Sequence, residues 1–317
     1  MAWSTEVSIF TFNVADVYSP DLTSNLHGSH LRLLSAEDNH AVHTQPRFSP
    51  DGTKVAYLAM RRAQYESDRL EIVVVDLATH SHYHVTADLD LSFNSITWDT
   101  NFSVDSSASN TYAIIATAQH HAVNKIFRIL LSSNSESGGI HFSGLAVLPG
   151  CESRTSPMLV DTRGQPHVRS LQGLYFLESS LTTPNMLKMA DDDVFGEILP
   201  ADLHAGYAAG PLPLETQFAR SIREIYCPCP EYYNGDITMP RVTQYYFPSR
   251  MEDGSENTDD LCHMFYLPPV QLQSDDMEAS AAPASVPLVV IVHGGPQSAF
   301  TNSWNYRWNL SFYASKG

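Results

Sequence analysis

One turn and the strands around it constrain this chain more than any other feature. In Arg47-Phe48-Ser49-Pro50-Asp51-Gly52, the proline pre-sets φ and Asp-Gly supplies positions that tolerate positive φ. Residues 54–60 then alternate as a strand, residues 72–75 are a continuous apolar run, and residues 80–86 alternate again. With residues 44–48 as the first strand, this predicts a meander of four strands. The same order recurs from Ile96-Thr97-Trp98-Asp99, through residues 111–118, 125–131 and 142–148. It begins a third time at Thr155-Ser156-Pro157-Met158, followed by residues 173–178 and 185–189. The starts lie roughly 50 to 60 residues apart, somewhat longer than the roughly 40 to 50 of common propeller blades. Long polar loops such as residues 132–139 account for the excess.

A four-stranded unit repeated in the same internal order predicts a partial β-propeller rather than a sandwich of similar hairpins. Residues 7–13 and 31–34 are expected to be the last two strands of a blade whose first two are missing. That makes about three and a half blades over residues 1–205, short of the roughly four to eight a closed ring needs. Such open edges imply either a fragment or assembly with another chain, so a homo-oligomer stays open. Residues 201–230 read as a linker or an irregular crossing segment. Residues 241–248 and 262–267 read as a β-hairpin around an acidic, turn-rich stretch, and residues 271–287 as a surface insertion.

Composition excludes more than it assigns. The 18 Lys and Arg stand against 35 Asp and Glu, a net charge of −17, and such a surface repels phosphate backbones. No nucleic-acid partner is expected. No apolar run reaches the length of a membrane span, and no signal peptide is visible, so the compartment, secreted or cytoplasmic, stays open. The four cysteines, Cys151, Cys227, Cys229 and Cys262, lack the spacing of a zinc knuckle and are expected to be buried thiols or one disulfide. His80, His82 and His84 alternate as a solvated strand face would, and His120-His121 reads as a polar strand end. No metal and no cofactor is expected.

The chemistry lies near the end of the sequence. Leu288-Val289-Val290-Ile291-Val292 is expected to be a strand buried on both faces, running into His293-Gly294-Gly295-Pro296. Two glycines there let a backbone turn sharply and approach a ligand closely. In α/β-hydrolases the loop after such a strand gives one backbone N–H to the oxyanion hole. Residues 206–317 are therefore expected to be a linker and the first strands of an α/β-hydrolase domain, behind the partial propeller of a mainly β chain. Trp304 and Trp308, four apart, are expected on a helix and buried in the core, and residues 312–317 are expected as a helix end capped at Gly317.

His293-Gly294-Gly295-Pro296-Gln297, with Trp304-x-x-Arg307-Trp308-Asn309, resembles the prolyl oligopeptidase family of serine peptidases, in particular its dipeptidyl-peptidase V branch. Phe48-Ser49-Pro50-Asp51-Gly52 with Tyr65-Glu66-Ser67-Asp68-Arg69 resembles a propeller blade of the same branch. The resemblance implies a propeller capping a hydrolase, peptide substrates, and acyl transfer through a Ser-His-Asp triad that releases N-terminal dipeptides. It implies Gly295 as an oxyanion-hole N–H. It sets His293 where some relatives carry a tyrosine that serves the same hole, which leaves packing as an equal alternative for His293. The Gly-x-Ser-x-Gly elbow this mechanism requires is absent: Ser29 follows Gly28 and Ser143 precedes Gly144, but neither has both glycines. All three triad residues are expected beyond Gly317, so this chain alone is expected to be inactive. A non-catalytic propeller interaction module is the alternative. A carboxylesterase or lipase on the same fold is disfavoured by the blade repeats.

Overall fold

The computed structural model describes residues 2–4, 9–11, 32–33, 41–62, 65, 68–99, 111–133, 139–148, 169–170, 173–191, 196–198, 222–232, 237–251, 253–269, 287–295 and 298–315. Within them the chain is mainly β, with antiparallel sheets throughout. The first sheet joins β1 (Ala2–Ser4), β2 (Ile9–Thr11) and β3 (Arg32–Leu33) in that order. It holds three strands where the sequence suggested two. The second sheet is the expected meander of β4 (His43–Phe48), β5 (Lys54–Ala59), β6 (Glu71–Asp76) and β7 (His82–His84). The third joins β8 (Phe93–Trp98), β9 (Thr111–His120), β10 (Val123–Ser133) and β11 (Ile140–Val147).

The turn before β5 forms for the reasons its residues suggest. Gly52 has φ of 70°, a conformation that costs a side-chain-bearing residue. Asp51 Oδ1 accepts from Ser49 Oγ at 2.6 Å, from Thr53 N at 3.0 Å and from Thr53 Oγ1 at 2.9 Å. Lys54 N in turn donates to Ser49 Oγ at 2.9 Å. Asp76 closes the next turn by accepting from the backbone N–H groups of Ala78 and Thr79. Both carboxyls sit below the ordinary range: partial burial pushes them up, but the hydroxyl and backbone donors outweigh it.

The sheets stack on one another in chain order. Strand alternation sends Ala56, Leu58, Ile72 and Val74 into a core shared with Phe93, Ile114, Phe127 and Ile129 of the third sheet. Val55, Tyr57, Ala59, Val73 and Val75 pack together on the opposite face. The continuous apolar run in β6 is thus explained, because both faces of the strand are covered. Trp98 Nε1 donates to the Arg47 carbonyl at 2.9 Å, tying the second sheet to the third. Ile115 and Ile126 face the other way and meet Leu174, Phe176 and Ala190 of the fourth sheet. Consecutive antiparallel meanders stacked face to face are the blades of a partial β-propeller.

The fourth sheet corrects one expectation. It runs β12 (Arg169–Ser170), β13 (Gly173–Glu178), β14 (Met186–Ala190) and then β16 (Ile222–Tyr226). Residues 222–226, expected within a linker, are its outermost strand and pair with β14 across a register shift at Leu187 and Lys188. β15 (Gly196–Ile198) crosses back and adds a fifth strand to the third sheet, beside β11. The expected start of this blade at residues 155–158, the Ser-rich loop at residues 134–138 and Gly317 lie outside the described residues.

Other corrections follow from local chemistry. β17 (Thr243–Arg250) and β18 (Glu256–Tyr266) form the expected hairpin, but they continue through the acidic stretch and turn only at residues 251–255. His80 has φ of 61° and lies in the turn, so only His82 and His84 share the strand. They meet Tyr57 Oη at 3.3 Å and Glu71 Oε1 at 2.7 Å. Cys227 and Cys229 are half-buried and Cys262 is exposed, all three as free thiols, and Cys151 lies outside the described residues. Trp304 and Trp308 are not on a helix. Asn305 Oδ1 takes the backbone N–H groups of Arg307 and Trp308, both at 2.8 Å, in place of a helical carbonyl. Asn309 then caps α1 (Leu310–Ser315) by accepting from Phe312 N at 3.0 Å. Trp308 is exposed.

Residues 288–292 depart furthest from expectation. They carry no ladder bonds, and Leu288, Val289, Val290 and Val292 are exposed. A strand buried on both faces needs neighbours on both edges and layers above and below. Among the described residues nothing supplies them.

Candidate functional site

The connection between the second and third strands of a blade recurs at one end of the sheets, and two of these connections receive the rest of the chain. In the third sheet the β9–β10 turn is His121 and Ala122, with φ of 54° and 60°. Two successive positive φ values define the tight turn that suits a twisted hairpin, normally built from Asn-Gly. The His121 carbonyl accepts from Gln244 Nε2 and from Tyr246 Oη, both at 3.3 Å. The Ala122 carbonyl accepts from Asn302 N at 2.9 Å. Burial of the His121 ring, and then the charge of Lys125, hold its pKa below the ordinary imidazole range.

The β13–β14 connection of the fourth sheet receives the next part of the chain. Asn302 Oδ1 accepts from Leu181 N at 3.0 Å, Ser179 Oγ accepts from Trp304 N at 3.1 Å, and Ser311 Oγ donates to the Leu181 carbonyl at 2.8 Å. Residues 300–311 therefore bridge two blades at the same end. The partners are separated by 121 to 130 positions in sequence. Local pattern has no means of showing such pairs, and the sequence reading missed Asn302, Ser179, Tyr246 and His263 for that reason.

His293 and Gly295 lie just before this docked segment. His293 is exposed, and its Nδ1 donates to the Gly294 carbonyl at 2.9 Å. A carbonyl only accepts, so in the neutral ring Nδ1 carries the proton and Nε2 is left as an acceptor. The His293 ring meets Phe300 edge to face, with centroids 6.5 Å apart. Gly295 has φ of 135°, where L side chains are strained, whereas a Cβ on Gly294 would meet nothing within 4 Å. Only the second glycine is required by backbone conformation. Pro296 and Gln297 lie outside the described residues. Among the described residues no group of three or more metal-ligating side chains comes together. No helix among them is long and apolar enough to cross a membrane.

No family model matches the chain. It is 22% identical to the dipeptidyl-peptidase 5 of Schizosaccharomyces pombe over 293 residues, 92% of this chain and 32% of that protein. It is 36% identical to the dipeptidyl-peptidase 5 of Porphyromonas gingivalis over 84 residues, 26% of this chain and 12% of that protein. Among solved structures, an acylaminoacyl peptidase of Pyrococcus horikoshii matches all of this chain and 64% of its own, at 13% identity and a TM-score of 0.29. The chain thus spans about a third of the length of the fission-yeast relative.

Proposed function

We propose that this chain, which resembles dipeptidyl-peptidases over most of its length, is the partial propeller and leading hydrolase segment of a serine-type peptidase of the prolyl oligopeptidase kind. The observation that carries the reading is the 92% span of the similarity, which takes in the blades and reaches the His-Gly-Gly region. The propeller part ends after Tyr226 rather than at residue 205, since β16 belongs to the fourth sheet. The remaining residues, through Gly317, form the hairpin, the insertion and the start of an α/β-hydrolase domain.

In the proposed mechanism a serine hydroxyl attacks the scissile carbonyl of a short peptide. Its proton passes to a histidine that an aspartate orients, and the tetrahedral oxygen takes negative charge. This chain contributes a donor to that oxygen, the Gly295 N–H. A developing oxyanion needs donors aimed at it, and losing one costs roughly 3 kcal/mol. His293 is the weaker candidate, because its Nδ1–H is taken up by the Gly294 carbonyl. Collapse of the intermediate expels the amine and leaves an acyl-enzyme that water hydrolyses. The released product is an N-terminal dipeptide or an acylated residue. The serine, aspartate and histidine come from residues outside this sequence, so the chain by itself is inactive.

Two measurements test this. A fluorophosphonate probe should leave the purified chain unlabelled, and stoichiometric labelling of any of its serines would overturn the inactivity. The longer gene product should cleave a dipeptidyl or an acylaminoacyl reporter. Hydrolysis of neither reporter, by a folded longer product that carries Gly-x-Ser-x-Gly, removes the peptidase reading.

A further inference from the structure

We infer that His263 is a positioning residue for the His-Gly-Gly segment, acting through Phe300; the functional meaning of that position rests on the oxyanion reading above. The two faces of the β17–β18 hairpin differ. Tyr245, Phe247, Cys262, Met264 and Tyr266 point to solvent. Gln244, Tyr246, His263 and Phe265 occupy the alternate face and are half-buried. That face reaches the His121 carbonyl through Gln244 and Tyr246.

His263 stands in the middle of a continuous line of contacts. On one side its ring lies against Tyr246, with centroids 6.3 Å apart, and Tyr246 lies 6.3 Å from the His121 ring. On the other side its Nε2 lies 2.9 Å from the Phe300 carbonyl. The carbonyl accepts, so Nε2 must carry the proton. Phe265 packs edge-on against the imidazole at 5.5 Å and fixes its plane. Phe300 then meets His293 edge to face. The line runs from a hairpin turn of the third sheet to the first residue of the His-Gly-Gly motif.

A tether is needed because residues 287–295 and 298–309 have no helix or ladder bonds to hold them. Residues 298–309 are held instead by individual hydrogen bonds to the hairpin and to the blade turns. Among the described residues after Gly295, the His263 bond is the first of these. Asn302 and Trp304 are bound further along. His263 therefore sets where Phe300 sits, and the Phe300 ring limits where His293 can sit.

The test reads the His293 ring by NMR in this chain, so it does not depend on any activity. In the unsubstituted protein, imidazole ¹⁵N shifts should show His263 protonated at Nε2, and His293 should carry a ring-current shift from Phe300. His263→Phe keeps a ring but removes the donor, and the His293 shift should be lost. His263→Gln keeps an N–H at similar reach and should restore it. An unmoved His293 signal in folded His263→Phe overturns the inference, as does a loss of equal size in His263→Gln. If His263→Phe does not fold, the tautomer decides: a proton on Nδ1 of His263 means the Phe300 bond is not made. Failure of the peptidase reading would appear only in the probe and reporter assays.

Discussion

Two apolar runs in this chain look alike in sequence and meet opposite fates. Ile72-Val73-Val74-Val75 and Leu288-Val289-Val290-Ile291-Val292 are both continuous, mostly β-branched and bounded by polar or turn residues. The first is essentially inaccessible, with Ile72, Val73 and Val74 at 0% and Val75 at 1% exposure. In the second, Leu288, Val289, Val290 and Val292 are 78%, 62%, 72% and 77% exposed. The difference lies in what surrounds them. β6 is paired by β5 and β7, and its two faces pack into separate cores. A continuous apolar run therefore states that both faces need cover, and says nothing of what provides it.

The largest expected effect breaks the comparison directly. Ile72→Ala opens a cavity in the core shared by the second and third sheets and should cost about 2–5 kcal/mol. Leu288→Ala removes a side chain that is already mostly in water and should change stability by no more than about 0.5 kcal/mol. Chemical denaturation of the two variants checks both figures. Equal losses would mean that residues 288–292 are covered in solution, and the contrast would fail.

The polar groups that end the two runs extend the comparison. Glu71 opens β6 with a carboxylate that is 1% exposed, held by Arg61 at 2.9 Å through two nitrogens and by His84 at 2.7 Å. Burial pushes its pKa up, but hydrogen bonds from His84 and Arg61, and then their charges, outweigh it and hold the group at about 2 against an ordinary 4.5. The folded state thus binds this proton less readily than the unfolded chain does. The stabilisation is present above about pH 4.5 and is lost as pH falls toward 2. Arg61 is half exposed, so screening reduces the expected size to about 2 kcal/mol. Glu71→Gln should lose that amount at pH 6 and show a flatter stability profile between pH 5 and pH 3 than the parent. His293, which closes the exposed run, bonds only to its own neighbour's carbonyl in the described structure apart from its ring contact. His293→Ala should therefore leave the denaturation midpoint nearly unchanged, and a profile for Glu71→Gln as steep as the parent's would remove Glu71 from this account.

Much of the blade region was legible because periodicity and turn chemistry are local. The strands from residue 43 to residue 147 follow from alternation, Ser-Pro-Asp-Gly and the Asp76 turn. β16 was hidden because its five residues are short and mostly exposed, and its partner β14 lies more than thirty positions away. The spacing of Trp304 and Trp308 suggested a helix, but Asn305 between them bonds the backbone itself and breaks the period. Of the candidate site, the need for glycine at position 295 was readable from His-Gly-Gly. Its attachment to two blades was not, since Asn302 and Ser179 carry no motif and act through pairs over a hundred residues apart.

The smallest expected effect concerns positive φ, which the two regions handle differently. The exposed segment uses Gly295 for it, at little steric cost. The β9–β10 turn uses His121 and Ala122, each of which should carry roughly 1 kcal/mol of left-handed strain. Replacing the pair by Asn-Gly suits the turn and leaves both backbone carbonyls in place for Gln244, Tyr246 and Asn302. The variant also loses the His121 ring, which stacks on His120 with centroids 4.0 Å apart, so the net gain should be about 1 kcal/mol rather than the full strain. Its pH profile should change as well. The lowered pKa of His121 means that the unfolded chain takes up a proton first as pH falls through about 6.5, and stability declines with it. The Asn-Gly variant should lack this step. Thermal melts at pH 7.5 and pH 5.5 separate the two effects. A variant less stable than the parent at both values would show that ring packing, rather than backbone strain, governs this turn.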